Sequence, residues 1–146
     1  MILITQQKGS AKMNGIIQLA GRCMLALIFI LAGVGKIQDP AGTAGYMQSM
    51  GVPAILLWPT IALEVLGGLA VAVGYKTELA SLALAIFSLI AAFIFHKNFG
   101  DQMQMIMFLK NIAIAGGLLI LAAGTTTAYS LDAKKKNANF FGTRQG

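Results

Sequence analysis

The chain has 146 residues, 57% of them hydrophobic and only 11% charged, with a formal net charge of +6. Soluble domains carry about 25% charged residues, so a water-soluble globular domain is excluded for want of polar surface. The basic residues stand at the ends of apolar runs rather than in a stripe, which argues against a nucleic-acid surface. The single cysteine, Cys23, and the single histidine, His96, exclude an intrachain disulfide, a CxxC redox pair and a bis-histidine haem held by this chain alone.

Residues 1–13 carry Lys8 and Lys12 and read as an unstructured cytoplasmic leader. The first apolar run, about 16–35, exceeds the roughly 7–15-residue core of a signal peptide and lacks a small-x-small cleavage site, so it reads as an uncleaved span. Arg22 lies near its cytoplasmic end. One reading makes it an arginine that snorkels to the interface. The other places it inside a bundle, because Arg22, Ala26, Phe29, Gly33 and Lys36 are spaced by threes and fours and share one helix face. Asp39-Pro40 is a helix start and Gly51 a helix stop. Between them Tyr46, Met47 and Met50 form a small apolar face. A short interfacial helix is expected there, serving as packing or as a lid over a pocket between spans.

The second span, about 53–74, opens with Pro53 and has Trp58 near the interface. Pro59 is expected to bend it one turn before Glu64. Gly67 and Gly68 permit another helix to approach closely. After a tight turn, the third span, about 79–96, carries Ser81, Ala85, Ser88 and Ala92 as a small, packable face. A polar loop holds His96, Lys97, Asn98 and Asp101, where the histidine reads as a solvated loop residue before a ligand. The fourth span, about 103–123, contains Lys110 and Asn111, and a basic tail follows from 133 to 146. Each run is near the ~20 residues that cross a bilayer. The fold class is therefore an all-α membrane protein, a four-span up-down bundle over residues 14–132 with one interfacial helix after span 1. Basic residues place both termini in the cytoplasm, with Lys36 and Lys97 outside.

A carboxylate at bilayer depth costs roughly 3 to well over 10 kcal/mol, so Glu64 must face the interior and find a partner. Glu64 is about 11 residues and Lys110 about 7 residues from the same side, a difference of roughly 6 Å in depth. Arg22 approaches from the opposite side. A buried network of Glu64 with Arg22, Lys110 or both, aided by Asn111, is the expectation. A purely structural ion pair that fixes helix register is the alternative. Metal-ligand spacing is absent, and Met103, Met105 and Met107 read as packing residues rather than copper ligands. No Ser/His/Asp grouping, phosphate loop or HExxH is present.

Taken in order, several pieces resemble the DoxX family of bacterial four-helix membrane proteins. They are Arg22, Phe29 to Ile37, Gly45-Tyr46-Met47, Met50 to Pro53, Leu63-Glu64-Val65-Leu66-Gly67-Gly68, Phe95-His96 with Phe99, Met107 to Gly117, and Tyr129-Ser130-Leu131-Asp132. The family takes its name from subunits of archaeal quinol-oxidase and thiosulfate:quinone oxidoreductase systems, and mycobacterial relatives belong to an oxidative-stress complex. The resemblance implies an accessory subunit that binds quinone or lipid beside a quinone-linked oxidoreductase; quinone is the one candidate cofactor, and the residues themselves establish none. Arg22, Lys36, Glu64, His96, Lys110 and Asn111 are the candidate residues of its polar pocket. The implied partners are the lipid bilayer, a redox protein and a second copy of the chain. A non-catalytic scaffold is the alternative function. A small transporter comes third, because one short bundle offers little room for alternating access.

Overall fold

The computed structural model describes residues 2–124 and 129–134, with side chains from Lys12 onward. Most of the basic tail expected from 133 to 146 lies outside the described residues. Five α-helices follow in order: α1 (Ile2–Gln38), α2 (Pro40–Ser49), α3 (Leu57–Val73), α4 (Thr77–Phe95) and α5 (Gln102–Ala123). Among the described residues there is no strand. Four segments are long and apolar enough to cross a membrane: Lys12–Gln38, Ala54–Val73, Thr77–Phe95 and Gln102–Ala123. The expected four-span, all-α architecture is the observed one.

Two local expectations are corrected. The segment read as an unstructured leader is helical, and α1 runs 37 residues without a break. Residues 1–13 contain no proline and one glycine, so nothing stops a helix from propagating out of the apolar run. At 1.5 Å per residue α1 is about 55 Å long, well beyond the ~30 Å hydrocarbon layer. The bend expected at Pro59 is instead a change of helix type. Ala54–Leu56 form a 3₁₀ turn and the α-helix begins at Leu57. Pro59 thus falls in the first turn of α3, where its missing N–H has no intrahelical partner to lose.

The short connecting helix is built as its residues dictate. The Asp39 carboxylate accepts a hydrogen bond from the Gly42 N–H at 2.9 Å, with Pro40 in the first turn. Gly51 (φ 80°) then takes the left-handed conformation that ends the segment. Met47 buries itself with Leu57 and Ile61, which fastens α2 across the start of α3.

The bundle is assembled from two tight helix pairs, α1 with α3 and α4 with α5, joined by α3 against α4. Glycine sets the first pairing. A methyl added at Gly33 would come within 2.6 Å of Val65 Cγ2 and 3.3 Å of Glu64 Cβ. One at Gly68 would sit 3.2 Å from the Ala26 carbonyl oxygen. Only hydrogen fits at such crossings, and dispersion between close backbones replaces the hydrophobic drive that lipid cannot supply. The small face of α4, Ser81, Ala85, Ser88 and Ala92, is fully buried. The main core joins Ala26, Phe29, Val71, Leu84, Ala85, Ala115 and Leu118.

Candidate functional site

Glu64 stands in the second turn after Pro59 and is 3% exposed. Its partner is Lys36, whose Nζ donates to Glu64 Oε1 at 2.8 Å. The expected pairing with Arg22 or Lys110 is therefore corrected. Helical side chains tilt toward their own N-terminus. Lys36 lies near the C-terminal end of α1, so its chain folds back into the bundle, with Nζ 3.5 Å from the Ala32 carbonyl. Glu64 is on an antiparallel helix and tilts the opposite way. With Gly33 packed level with Glu64, the two side chains meet between the helices. The second carboxylate oxygen, Glu64 Oε2, is buried and has no hydrogen-bond partner among the described residues.

The pair forms one wall of a cavity of about 540 Å³ between the two helix pairs. Phe29, Leu63 and Phe87 are among its apolar lining residues, and Tyr46 and Met47 of α2 line it as well. Tyr46 stacks on Phe95 with ring centroids 5.6 Å apart. Helix α2 thus packs on the start of α3 and lends Tyr46 and Met47 to the cavity lining.

Two further candidate residues line the same cavity. The His96 Nδ1 lies 2.8 Å from Gln104 Oε1, which ties the end of α4 to the first turn of α5. Asn111 donates from Nδ2 to the Met107 carbonyl at 3.0 Å. Lys110 does not join them. Asn111, Ala115 and Leu118 mark the inward side of α5, and Lys110, about 100° round the helix, is exposed on the outer side. It makes no hydrogen bond or ion pair with a described residue.

Arg22 is buried, but at the opposite end of the bundle. Its Nη2 donates to the Tyr129 carbonyl at 2.8 Å. Gly74 (φ 71°) gives it room, since a methyl there would sit 2.4 Å from Arg22 Nη1. The segment after α5 folds back over this point. Asp132 accepts from the Lys76 and Thr77 N–H groups, each at 2.9 Å, and from Thr77 Oγ1 at 2.8 Å. It caps α4 from 55 residues away, in place of the local capping side chain that α4 lacks. Arg22 therefore belongs to a clamp that closes the bundle, and neither snorkels nor reaches Glu64. The sequence carries no local signal for this long-range cap. The Lys36–Glu64 pair did leave one: Lys36 shares the buried face of α1, and the tilt of helical side chains points it inward. Among the described residues no group of three or more His, Cys, Asp or Glu is placed to hold a metal ion.

Comparisons with known proteins agree with this architecture. The DoxX family model matches residues 17–97, more than half of the chain. The chain is 44% identical over 121 residues to inner membrane protein YqjF of Escherichia coli, covering 83% of this chain and 93% of that protein. It is 35% identical over 124 residues to inner membrane protein YphA of the same organism, covering 80% and 89%. A shorter match, 32% over 73 residues, covers half of this chain and 54% of the putative oxidoreductase CatD of Bacillus subtilis. No solved structure matches. Four apolar spans, the family model over α1 to α4 and inner-membrane relatives along nearly their whole length lead to one assignment: the chain is a multi-pass inner-membrane protein that belongs to the DoxX family.

Proposed function

We propose that this protein binds a quinone-class molecule in the cavity beside Lys36 and Glu64 and acts as an accessory subunit of a membrane oxidoreductase system. The observation that carries the reading is the cavity itself. It is about 540 Å³, walled by aromatic and aliphatic side chains, with one ion pair at its polar end. Small-molecule sites have this composition, mostly apolar with a few placed polar groups. The Lys36–Glu64 pair is neutral as a unit, which suits an uncharged ring with a lipid-soluble tail. The oxidoreductase name of the related CatD supports a redox setting. When bound, a quinone supplies electron transfer that no side chain of this chain supplies. Lys36 would hold the ring by hydrogen bonding, while Phe29 and Phe87 would pack on its faces.

An accessory subunit needs a partner, and Lys110 marks where one would sit. A lysine on the outer face of a span at membrane depth costs free energy unless it is neutralised or reaches the interface. A partner helix carrying a carboxylate at that depth would neutralise it. The orientation follows from the basic residues, with the N-terminus and the tail in the cytoplasm.

One observation favours a second reading. Lys36–Glu64 joins α1 to α3 directly, as a register-fixing pair in a scaffold would. The test is mild purification from native membranes with extraction of bound quinones, beside an Ala91→Phe variant that fills the cavity and leaves the ion pair intact. Near-stoichiometric quinone that is lost in the filled variant, with helicity and thermal stability unchanged, supports the ligand-binding reading. Bulk lipid alone in both proteins supports the scaffold.

A further inference from the structure

The clamp over Arg22 gathers cations at the end of the bundle away from the cavity. Residues 131–134 make one helical turn beside the α3–α4 turn. The Asp132 N–H donates to the Gly74 carbonyl at 3.0 Å, and the Asp132 carboxylate accepts from the Lys76 N–H at 2.9 Å. Lys134, two residues on, is thereby held beside Lys76, and both side chains are exposed. Lys135 and Lys136 follow directly in the sequence. Neither Lys76 nor Lys134 has an ion-pair partner among the described residues. Asp132 already accepts three hydrogen bonds from the first turn of α4, and Glu78, exposed in that turn, forms no ion pair with a described residue. Like charges gathered in this way repel unless an anion lies between them. The same place exposes Tyr75, Tyr129 and Leu131, with Lys76 Nζ 5.9 Å from the centroid of the Tyr75 ring. Aromatic side chains of this kind settle at the level of lipid headgroups.

We propose that this cluster is a binding site for an anionic phospholipid of the adjacent leaflet. The lipid phosphate sits between the Lys76 and Lys134 ammonium groups, and its acyl chains run down the bundle surface past Tyr75 and Leu131. In the orientation proposed above this face is cytoplasmic, the leaflet whose anionic lipids attract basic segments beside a span. The site is more than a diffuse attraction to a basic tail, because the clamp brings together two lysines from distant parts of the chain. A headgroup that bridges them stabilises the closed clamp by mass action. The site is separate from the cavity and does not depend on what the cavity binds.

The test is a lipid titration of the full-length protein in a non-ionic detergent. Dioctanoyl-phosphatidylglycerol is compared with zwitterionic dioctanoyl-phosphatidylcholine, and apparent affinity is read from the rise in melting temperature. Phosphatidylglycerol should bind at least tenfold tighter at low salt, and the preference should shrink as ionic strength rises. Lys76→Gln and Lys134→Gln should each weaken it about fivefold, while Lys97→Gln, beyond the other end of α4, should leave it unchanged. Asp132→Ala keeps every lysine and releases the clamp. A diffuse attraction would strengthen on losing that negative charge, whereas the built site should lose its preference for phosphatidylglycerol. Native or tighter binding in Asp132→Ala therefore overturns the built site. Equal binding of the two lipids to the native protein overturns the proposal outright. Saturation by free glycerol 3-phosphate at the same concentrations overturns the assignment to a lipid. The two lysine variants change exposed residues only, and loss of the preference in them decides the matter even if Asp132→Ala does not fold.

Discussion

Lys36 and Glu64 meet because they lie on antiparallel helices and each tilts toward its own N-terminus, which brings Nζ and Oε1 to 2.8 Å. The pair joins α1 to α3 at the level where Gly33 packs against Glu64 and Val65, so covalent geometry and close packing fix the same register.

Removing one member of this pair leaves the other buried without its partner. Lys36→Met should destabilise the protein by about 3–5 kcal/mol, and the double replacement Lys36→Met with Glu64→Leu should recover much of that loss. Thermal unfolding in detergent, taken round the double-mutant cycle, reads the coupling. Additive losses would show that the two side chains do not act together.

Crossing geometry gives a sharper contrast on the same helix. Gly33→Ala pushes a methyl to 2.6 Å from Val65 Cγ2 and should cost about 1–3 kcal/mol by overpacking. Gly35→Ala meets nothing within 4 Å and should be neutral or slightly stabilising, because alanine is the better helix former. Melting temperatures of the two variants check this directly.

At the other end of the bundle, Asp132 holds three hydrogen bonds to the first turn of α4. Asp132→Ala should cost about 1–2 kcal/mol as the loss of a helix cap. The effect should be local, with faster hydrogen exchange at Lys76 and Thr77 and unchanged protection in α1 around Gly33. Uniformly faster exchange would mean that the clamp supports the whole bundle instead.

Lys110 makes the opposite prediction. It contacts no described partner, so Lys110→Leu should leave thermal stability within about 0.5 kcal/mol, as an outward-facing substitution. It should reduce recovery of a co-purifying membrane protein from native membranes. A variant that melts far below the native protein would contradict the outward placement.

Spans, interfacial helix and small-residue crossings were legible in the sequence because they rest on length, hydropathy and local spacing. The spacing of Arg22, Ala26, Phe29, Gly33 and Lys36 located the buried face of α1. Depth counting along helix axes then misdirected the search for the partner of Glu64. It treats a side chain as level with its Cα, whereas a lysine side chain extends roughly one helical turn toward the N-terminus. Asn111 and Lys110 are neighbours in sequence, yet one lines the cavity and the other faces outward, a 100° difference that depth alone does not resolve. Asp132 was unreadable as a cap, since its partners Lys76 and Thr77 lie in another part of the chain and only the assembled bundle brings them together.

Photolabelling tests the central claim, a ligand site beside Lys36 and Glu64, most directly. A photoreactive quinone analogue is bound to the purified protein, activated with and without excess unlabelled quinone, and the modified peptides are identified by mass spectrometry. The account predicts label on cavity-lining residues of α3 and α4, around Leu63 and Phe87, that excess quinone competes away. Label confined to the outer faces of the helices, unaffected by competition, would contradict it.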